Sequence, residues 1–154
     1  MTTDVLTVQQ VSKKFPPNIT ALESASLNVR AGEVHCLLGA NGAGKSTLLK
    51  IIAGAFRPTD GSLLLDGKPV DLHSPSQAAR LGISMIYQEL DLVPQLTVEQ
   101  NLFLGHAPGR FGLINHRERR ERAAAALTRV GAHFKPEVRV ETLSVANQQL
   151  TAIA

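Results

Sequence analysis

The residues of this chain whose types and spacing point most directly to chemistry run from Gly39 to Ser46. They read Gly-Ala-Asn-Gly-Ala-Gly-Lys-Ser and satisfy the pattern G-x-x-x-x-G-K-[ST], in which glycines let the backbone wrap closely around phosphate oxygens. Successive amide N–H groups of such a loop form a nest for an anion, and the helix that follows turns its positive end to the same oxygens. We expect Lys45 to reach the β- and γ-phosphates of ATP and the Ser46 hydroxyl to bind Mg²⁺. The predicted phosphate-binding residues are Gly39, Asn41, Gly42, Ala43, Gly44, Lys45, Ser46 and Thr47.

The neighbouring elements are those that would hold such a loop in place. The apolar run from Val34 to Leu38 predicts a buried strand before the loop, with Cys36 as a small core residue. The stretch from Lys45 to Ala53 predicts a helix after it. A tight turn that binds nothing is the alternative interpretation, but the order of strand, loop and helix favours a phosphate site. Further strands are expected at Thr3 to Val11, Leu22 to Val29, Ser62 to Leu65 and Ile83 to Tyr87.

Capping residues mark where two later helices begin. Ser74 followed by Pro75 predicts an N-cap with proline at the first helical position. Thr97 with Gln100 three residues later predicts a capping box, and the helix that it opens is expected to end at Gly105.

A longer helix is expected from Asn115 to Val130, after a loop from His106 to Gly112. Its charged run, Arg117 to Arg122, mixes signs at helical spacing, which favours a solvated helix face over a nucleic-acid patch. The formal net charge of +3 is also too small to indicate a nucleic-acid partner.

The composition is that of an ordinary α/β protein, with 44% hydrophobic and 19% charged residues among 154. A single cysteine excludes an internal disulfide and fits a reducing compartment. The five histidines show no metal-ligand spacing. No apolar run reaches the length of about 18 residues that a membrane span requires, so we expect any membrane association to come through a partner.

The loop and the segments after it together resemble the ATPases of ABC transporters. The stretch from Leu38 to Leu49 is similar to that family's form of the phosphate loop, and Met85 to Glu89 resembles its Q-loop. The resemblance implies that Gln88 contacts Mg²⁺ and the attacking water, a catalytic role. It also implies that the segment from Val93 to Gly105 touches the membrane subunit. A polar strand end followed by a short core helix is the alternative interpretation of these residues.

The stretch from Leu143 to Gln149 resembles the family's signature motif, usually written Leu-Ser-Gly-Gly-Gln. It departs from that form because Val145 and Ala146 replace the two glycines and Asn147 replaces the glutamine. Together with the tract from Gly109 to Ile114, this variant is similar to the ATPases of bacterial monosaccharide importers of the ribose, xylose and galactose type. The resemblance implies that Ser144 serves the nucleotide of an opposite subunit, and therefore head-to-tail dimerisation. An ordinary capped helix start is the alternative interpretation.

Phe15 stands where the family places an aromatic side chain that stacks on adenine. An aromatic face suits any base, although a single phenylalanine is also a common core residue. The interpretation of Phe15 therefore stays open between a nucleotide-binding residue and a core residue.

The resemblance implies an α/β fold of the P-loop NTPase class. Its expected parts are an antiparallel β subdomain, an incomplete parallel-sheet core and a helical subdomain. We expect the core and β subdomain at about residues 1–88 and the helical subdomain at about 89–154. The implied cofactors are ATP and Mg²⁺. The implied partners are a transmembrane permease, a second nucleotide-binding domain and, indirectly, a sugar-binding protein, with the chain at the inner face of the cell membrane through the permease.

The resemblance also implies what these 154 residues lack. In the family a Mg²⁺-binding Asp, a general-base Glu and a His all follow the signature, and the stretch after Ser144 contains none of these. We therefore expect a partial ABC-type domain that binds ATP and hydrolyses it poorly. The alternatives are a non-hydrolysing nucleotide-binding or interaction module and an inert gene fragment.

Overall fold

A computed structural model of the protein describes residues 4–87, 91–105, 108–110 and 113–154. The chain divides into two compact units, Met1–Met85 and Ile86–Ala154. Within the described ranges no helix is long and apolar enough to cross a membrane.

The first unit is built on a four-stranded antiparallel sheet in the order β2-β1-β3-β4. The strands predicted at Thr3 to Val11, Leu22 to Val29 and Ser62 to Leu65 are confirmed, and each is longer than expected. The first two are longer because they form one hairpin, whose pairing continues as far as Phe15 opposite Ile19. The strands are β1 Asp4–Phe15, β2 Ile19–Arg30, β3 Asp60–Leu65 and β4 Lys68–Val70.

Two helices complete the first unit. Helix α1, Lys45–Ile52, packs its buried residues Leu48 and Ile51, three positions apart, into a core that Val8 and Leu63 of the sheet also line. Helix α2, Pro75–Arg80, begins as predicted, because the Ser74 side chain accepts the Gln77 amide hydrogen. The core of this unit therefore fixes α1, whose first residue is the predicted phosphate-binding lysine.

Two segments that were expected to form strands do not form them. Residues 34–38 and 83–87 have no regular secondary structure, and neither segment pairs with a strand in the described part of the chain. A strand requires a partner for its backbone hydrogen bonds, and apolar sequence alone does not provide one. As a result Val34 is 99% exposed, and the expected core position of Cys36 is wrong because that side chain is exposed as well.

The second unit is mainly helical, with a small core of Val98, Leu127 and Val140. Thr97 and Gln100 form both halves of the predicted capping box. The expected loop at 106–112 is partly wrong, since Gly109–Arg110 pairs with Leu113–Ile114 in a short hairpin. The elements are α3 Val98–Leu102, β5 Gly109–Arg110, β6 Leu113–Ile114, α4 His116–Arg129 and α5 Val145–Ile153.

A buried ion pair joins α3 to α4 in this unit. The Arg119 guanidinium donates to the Glu99 carboxylate at 2.7 Å, and Arg120 lies 3.6 Å from the other oxygen of that carboxylate. Both side chains of the 2.7 Å pair are more than nine-tenths buried. The prediction of a solvated charged face on α4 is therefore wrong for Arg119, although its neighbours Arg117 and Arg122 are exposed.

Candidate functional site

The predicted phosphate loop is an exposed turn that leads directly into α1. Gly42 and Gly44 both adopt a left-handed conformation with φ of 84°, and the Ala43 amide donates to the Ala40 carbonyl oxygen at 3.2 Å. Gly44 is the N-cap of α1, and it has no side chain with which to satisfy the helix terminus. The loop therefore closes through its backbone and leaves the end of the helix uncapped.

Gly44 also sets how closely the loop approaches β2. A Cβ on Gly44 would stand 2.6 Å from the Ala21 carbonyl oxygen and 2.9 Å from Cδ1 of Leu22. Both distances are shorter than van der Waals contact, and the conformation itself disfavours a side chain. Glycine is thus required at this position for the loop to sit on the sheet.

The first turn of α1 presents a group of unpaired donors. The amide N–H groups at residues 44–47 have no hydrogen-bond acceptor within the described ranges of the chain. The first turn of α1 carries no acidic side chain, so no carboxylate within that turn offsets the positive end of the helix dipole. Unpaired N–H groups at the start of a helix form a ready anion site, and phosphate oxygens have the matching charge and acceptor capacity.

Lys45 folds back over the loop that precedes it. Its ammonium group donates to the carbonyl oxygens of Gly39 and Ala40, each at 2.7 Å. The side chain of the first helical residue therefore brings its charge to the loop that leads into the unpaired N–H groups at residues 44–47. Ser46 beside it is exposed, and Thr47 is partly buried.

Near the loop in sequence, one carboxylate has a perturbed acidity. The Glu33 carboxylate accepts the backbone N–H of Arg30 at 2.9 Å, and this hydrogen bond lowers the pKa of Glu33 below its ordinary value. His35 adds a weaker contact at 3.3 Å. The arrangement closes the turn after β2 and contains no nucleophile.

Phe15 lies in the same unit as the loop, at the end of β1, and is half-buried. Its ring meets that of Phe56 edge-to-face, with centroids 5.3 Å apart and an interplanar angle of 78°. The Lys13 ammonium group lies 5.1 Å from the centroid of the Phe15 ring. Phe15 is thus held by neighbours without being a fully buried core residue, and its predicted adenine contact stays a prediction.

Two further residues were predicted to belong to the site, Gln88 and Ser144. Gln88 lies outside the described residues. Ser144 belongs to the second unit, where its hydroxyl caps α5 by accepting the Asn147 amide hydrogen at 3.3 Å. The Gln148 side-chain amide donates to the carbonyl oxygens of Val140 and Leu143 and so fixes the segment before the helix. The local structure is that of a capped helix start, and the role in an opposite subunit stays a prediction.

No group of three or more His, Cys, Asp or Glu side chains in the described part of the chain could hold a metal ion. The predicted Mg²⁺ ligands are instead Ser46 and Gln88, with the phosphates themselves supplying further oxygens. The unpaired N–H groups and Lys45 fit a polyphosphate. A Mg²⁺ ion at this site would therefore be held mainly by the oxygens of that polyphosphate.

Sequence reasoning missed the buried pair of Glu99 and Arg119. The spacing of residues on α4 indicates that Arg119 lies on its buried face. Arg119, Ala123 and Leu127 follow one another every four residues and form the buried stripe of that helix. A helix stripe that ends in an arginine requires an acidic partner from another element, and Glu99 on α3 is that partner.

Comparison with known proteins gives a consistent result. A family model described as ABC transporter matches residues 22–154. The ribose import ATP-binding protein RbsA 1 of Rubrobacter xylanophilus is 47% identical over 150 residues, covering 97% of this chain and 30% of the relative. A putative ribose/galactose/methyl galactoside import ATP-binding protein of Burkholderia cenocepacia is 48% identical over 151 residues, with 97% and 29% covered. The chain thus spans about three-tenths of the length of these curated relatives.

Solved structures with the same fold include cbiO1 of Clostridium perfringens, part of the ABC transporter complex cbiONQ. It matches with a TM-score of 0.78 and 28% identity, covering 98% of this chain and 60% of the other. The ATP-binding cassette MJ0796, solved as a dimer bound to ADP and Pi, matches with a TM-score of 0.75 and 27% identity, covering 96% and 67%.

Proposed function

Because this chain belongs to the ABC transporter family, we propose that it forms part of the ATP-binding component of a bacterial sugar importer. The observation that carries the proposal is the free N-terminus of α1. Its amide N–H groups at 44–47 lack acceptors among the described residues, and Lys45 lies over the adjoining loop. This combination of donors and charge suits the β- and γ-phosphates of ATP.

In the proposed complex each loop residue has a separate task. The backbone N–H groups of the loop and of the first turn donate to phosphate oxygens, and Lys45 exchanges its two carbonyl acceptors for phosphate oxygens. Ser46 and Gln88 hold Mg²⁺, which when bound neutralises charge on the phosphates and fixes their orientation. Phe15 stacks on the adenine ring.

The partners follow from the relatives. Relatives whose names specify ribose or galactose import support a sugar as the transported substrate and a permease as the membrane partner. A second nucleotide-binding domain would use Ser144 toward a nucleotide held across the interface, as the dimeric form of a related cassette supports. A sugar-binding protein then acts indirectly, and the chain lies at the inner face of the membrane through the permease.

For the 154 residues alone we propose ATP binding with little turnover. The family's Mg²⁺-binding Asp and general-base Glu follow the signature motif, and the residues after Ser144 are all uncharged. Phosphoryl transfer depends on positioning the attacking water, so a chain without that base retains binding and loses rate.

The experiment that tests this proposal has two measurements on the purified chain. ATP·Mg²⁺ binding is measured by calorimetry, and phosphate release by a coupled assay, for the wild type and for Lys45→Ala. We expect binding that the substitution abolishes or strongly weakens, with phosphate release equal in both. Failure of the wild-type chain to bind ATP would refute the function, and phosphate release above the variant's level would refute the low turnover.

A further inference from the structure

The edge-to-face contact between Phe15 and Phe56 joins two parts of the first unit that the proposed function treats separately. Phe15 ends β1, whereas Phe56 follows α1. Their ring centroids are 5.3 Å apart at an interplanar angle of 78°, which is the geometry that aromatic quadrupoles favour. The contact therefore connects Phe15, the predicted base-stacking residue, to the residues that follow the predicted phosphate-binding helix α1.

Phe56 is anchored to α1 by its own backbone. Its amide N–H donates to the Lys50 carbonyl oxygen at 3.1 Å, and its half-buried ring packs against the core that Leu48 and Ile51 help to form. The Lys50 ammonium group lies 5.5 Å from the centroid of the Phe56 ring. Its main-chain hydrogen bond and its packed ring thus fix Phe56 to the helix that begins at Lys45.

Phe15 has less support of its own. It is half-buried, it pairs with Ile19 across the hairpin, and the Lys13 ammonium group lies 5.1 Å from its ring centroid. A single lysine over an aromatic ring contributes modestly, and its long side chain moves readily. The edge-to-face contact with Phe56 is therefore well placed to restrict the rotamer of Phe15.

From these contacts we propose that Phe56 is a positioning residue for nucleotide binding, acting on the base through Phe15. It holds the Phe15 ring at a fixed position relative to α1, so that a purine can stack on Phe15 while the phosphates lie on the first turn of the helix. This inference rests on the proposed function, because it concerns the same ATP site. A platform already ordered in the free protein lowers the cost of ordering it when the ligand binds.

The test compares a ligand that has a base with one that lacks it. Binding of ATP and of inorganic tripolyphosphate, both with Mg²⁺, is measured for the wild-type chain and for Phe56→Leu, Phe56→Tyr and Phe15→Leu. We expect Phe56→Leu to weaken ATP binding about two- to tenfold, the range in which an aromatic pair shifts an equilibrium, and to leave tripolyphosphate binding unchanged. Phe15→Leu should behave likewise, whereas Phe56→Tyr keeps the ring contact and should restore ATP affinity.

A merely structural role for Phe56 gives a different pattern. Equal losses for ATP and tripolyphosphate in Phe56→Leu would overturn the inference, and so would unchanged ATP affinity or a Phe56→Tyr variant as weak as Phe56→Leu. Thermal unfolding by circular dichroism identifies a variant that has lost its fold. Failure of the proposed function is distinct, because the wild-type chain would then bind neither ligand.

A fluorescence measurement gives an independent readout. The chain contains no tryptophan, so a Phe15→Trp variant carries a single reporter at the proposed stacking position. We expect ATP, but not tripolyphosphate, to quench its emission, and the added substitution Phe56→Leu to lower both its steady-state anisotropy and the quenching. Unchanged anisotropy and quenching in the double variant would contradict a positioning role for Phe56.

Discussion

The Cα of Gly44 lies so close to β2 that a Cβ at this position would stand 2.6 Å from the Ala21 carbonyl oxygen. This relationship ties the phosphate loop to the sheet and sets where the first turn of α1 begins. Gly67, in the turn between β3 and β4, has a similar left-handed φ of 72°, but a Cβ there would meet nothing within 4 Å. An alanine at Gly67 would carry only the energetic cost of the left-handed conformation, whereas an alanine at Gly44 would carry that cost and the steric clash as well.

We predict that Gly44→Ala lowers the free energy of unfolding by about 2–4 kcal/mol, because the left-handed conformation and the steric overlap both penalise it. The matched control, Gly67→Ala, should lose only about 1 kcal/mol, since it carries the conformational cost alone. Urea unfolding of both variants is the measurement. Equal losses would show that the loop moves away from Ala21 without penalty.

The buried pair of Glu99 and Arg119 gives a prediction for the second unit. Glu99→Gln should lower the free energy of unfolding by about 3 kcal/mol, because Arg119 is then buried without a counter-charge. The control Glu121→Gln removes an exposed ion pair between Glu121 and Arg117 within α4. It should change the free energy of unfolding by about 0.5 kcal/mol or less.

Urea unfolding of these two variants is again the measurement. A double replacement, Glu99→Leu with Arg119→Met, should recover much of the lost stability, since an apolar pair of similar size avoids desolvating two charges. A Glu99→Gln variant as stable as Glu121→Gln would mean that the buried pair contributes nothing to holding α3 against α4.

Ser46 is predicted to act through the metal. The Ser46→Ala substitution should reduce the gain in ATP affinity that Mg²⁺ provides by about two- to tenfold, the effect of one lost polar contact, and leave affinity in EDTA unchanged. Calorimetry with and without Mg²⁺ measures the gain. Ser76→Ala, an exposed serine in α2, is the control. An equal loss in EDTA and in Mg²⁺ would assign Ser46 to the phosphates instead.

Sequence predicted best the features that local chemistry decides. The caps at Ser74 and Thr97 each satisfy a helix terminus within three residues of the chain, and both form as expected. The helix predicted from Asn115 also begins there, where the Asn115 side chain accepts the Glu118 amide hydrogen. The phosphate loop follows in the same way from its glycines and from the helix that begins at Lys45.

Features that depend on distant partners were predicted less well. Val34 to Leu38 is apolar enough for a buried strand, but burial requires neighbouring strands, and none pairs with it in the described part of the chain. The contact of Phe15 with Phe56 and the pairing of Arg119 with Glu99 join residues 41 and 20 positions apart, which no local pattern specifies.

A comparison of ATP with AMP tests whether the first turn of α1 and Lys45 bind the terminal phosphates of ATP. We predict that the wild-type chain binds ATP·Mg²⁺ and discriminates strongly against AMP, and that Lys45→Ala weakens ATP binding about 10- to 100-fold, the effect of losing charged hydrogen bonds. The control Lys68→Ala, at an exposed lysine of β4, should bind ATP as the wild type does. Equal affinities of the wild-type chain for ATP and AMP, or ATP binding unchanged by Lys45→Ala, would show that these groups do not bind the terminal phosphates.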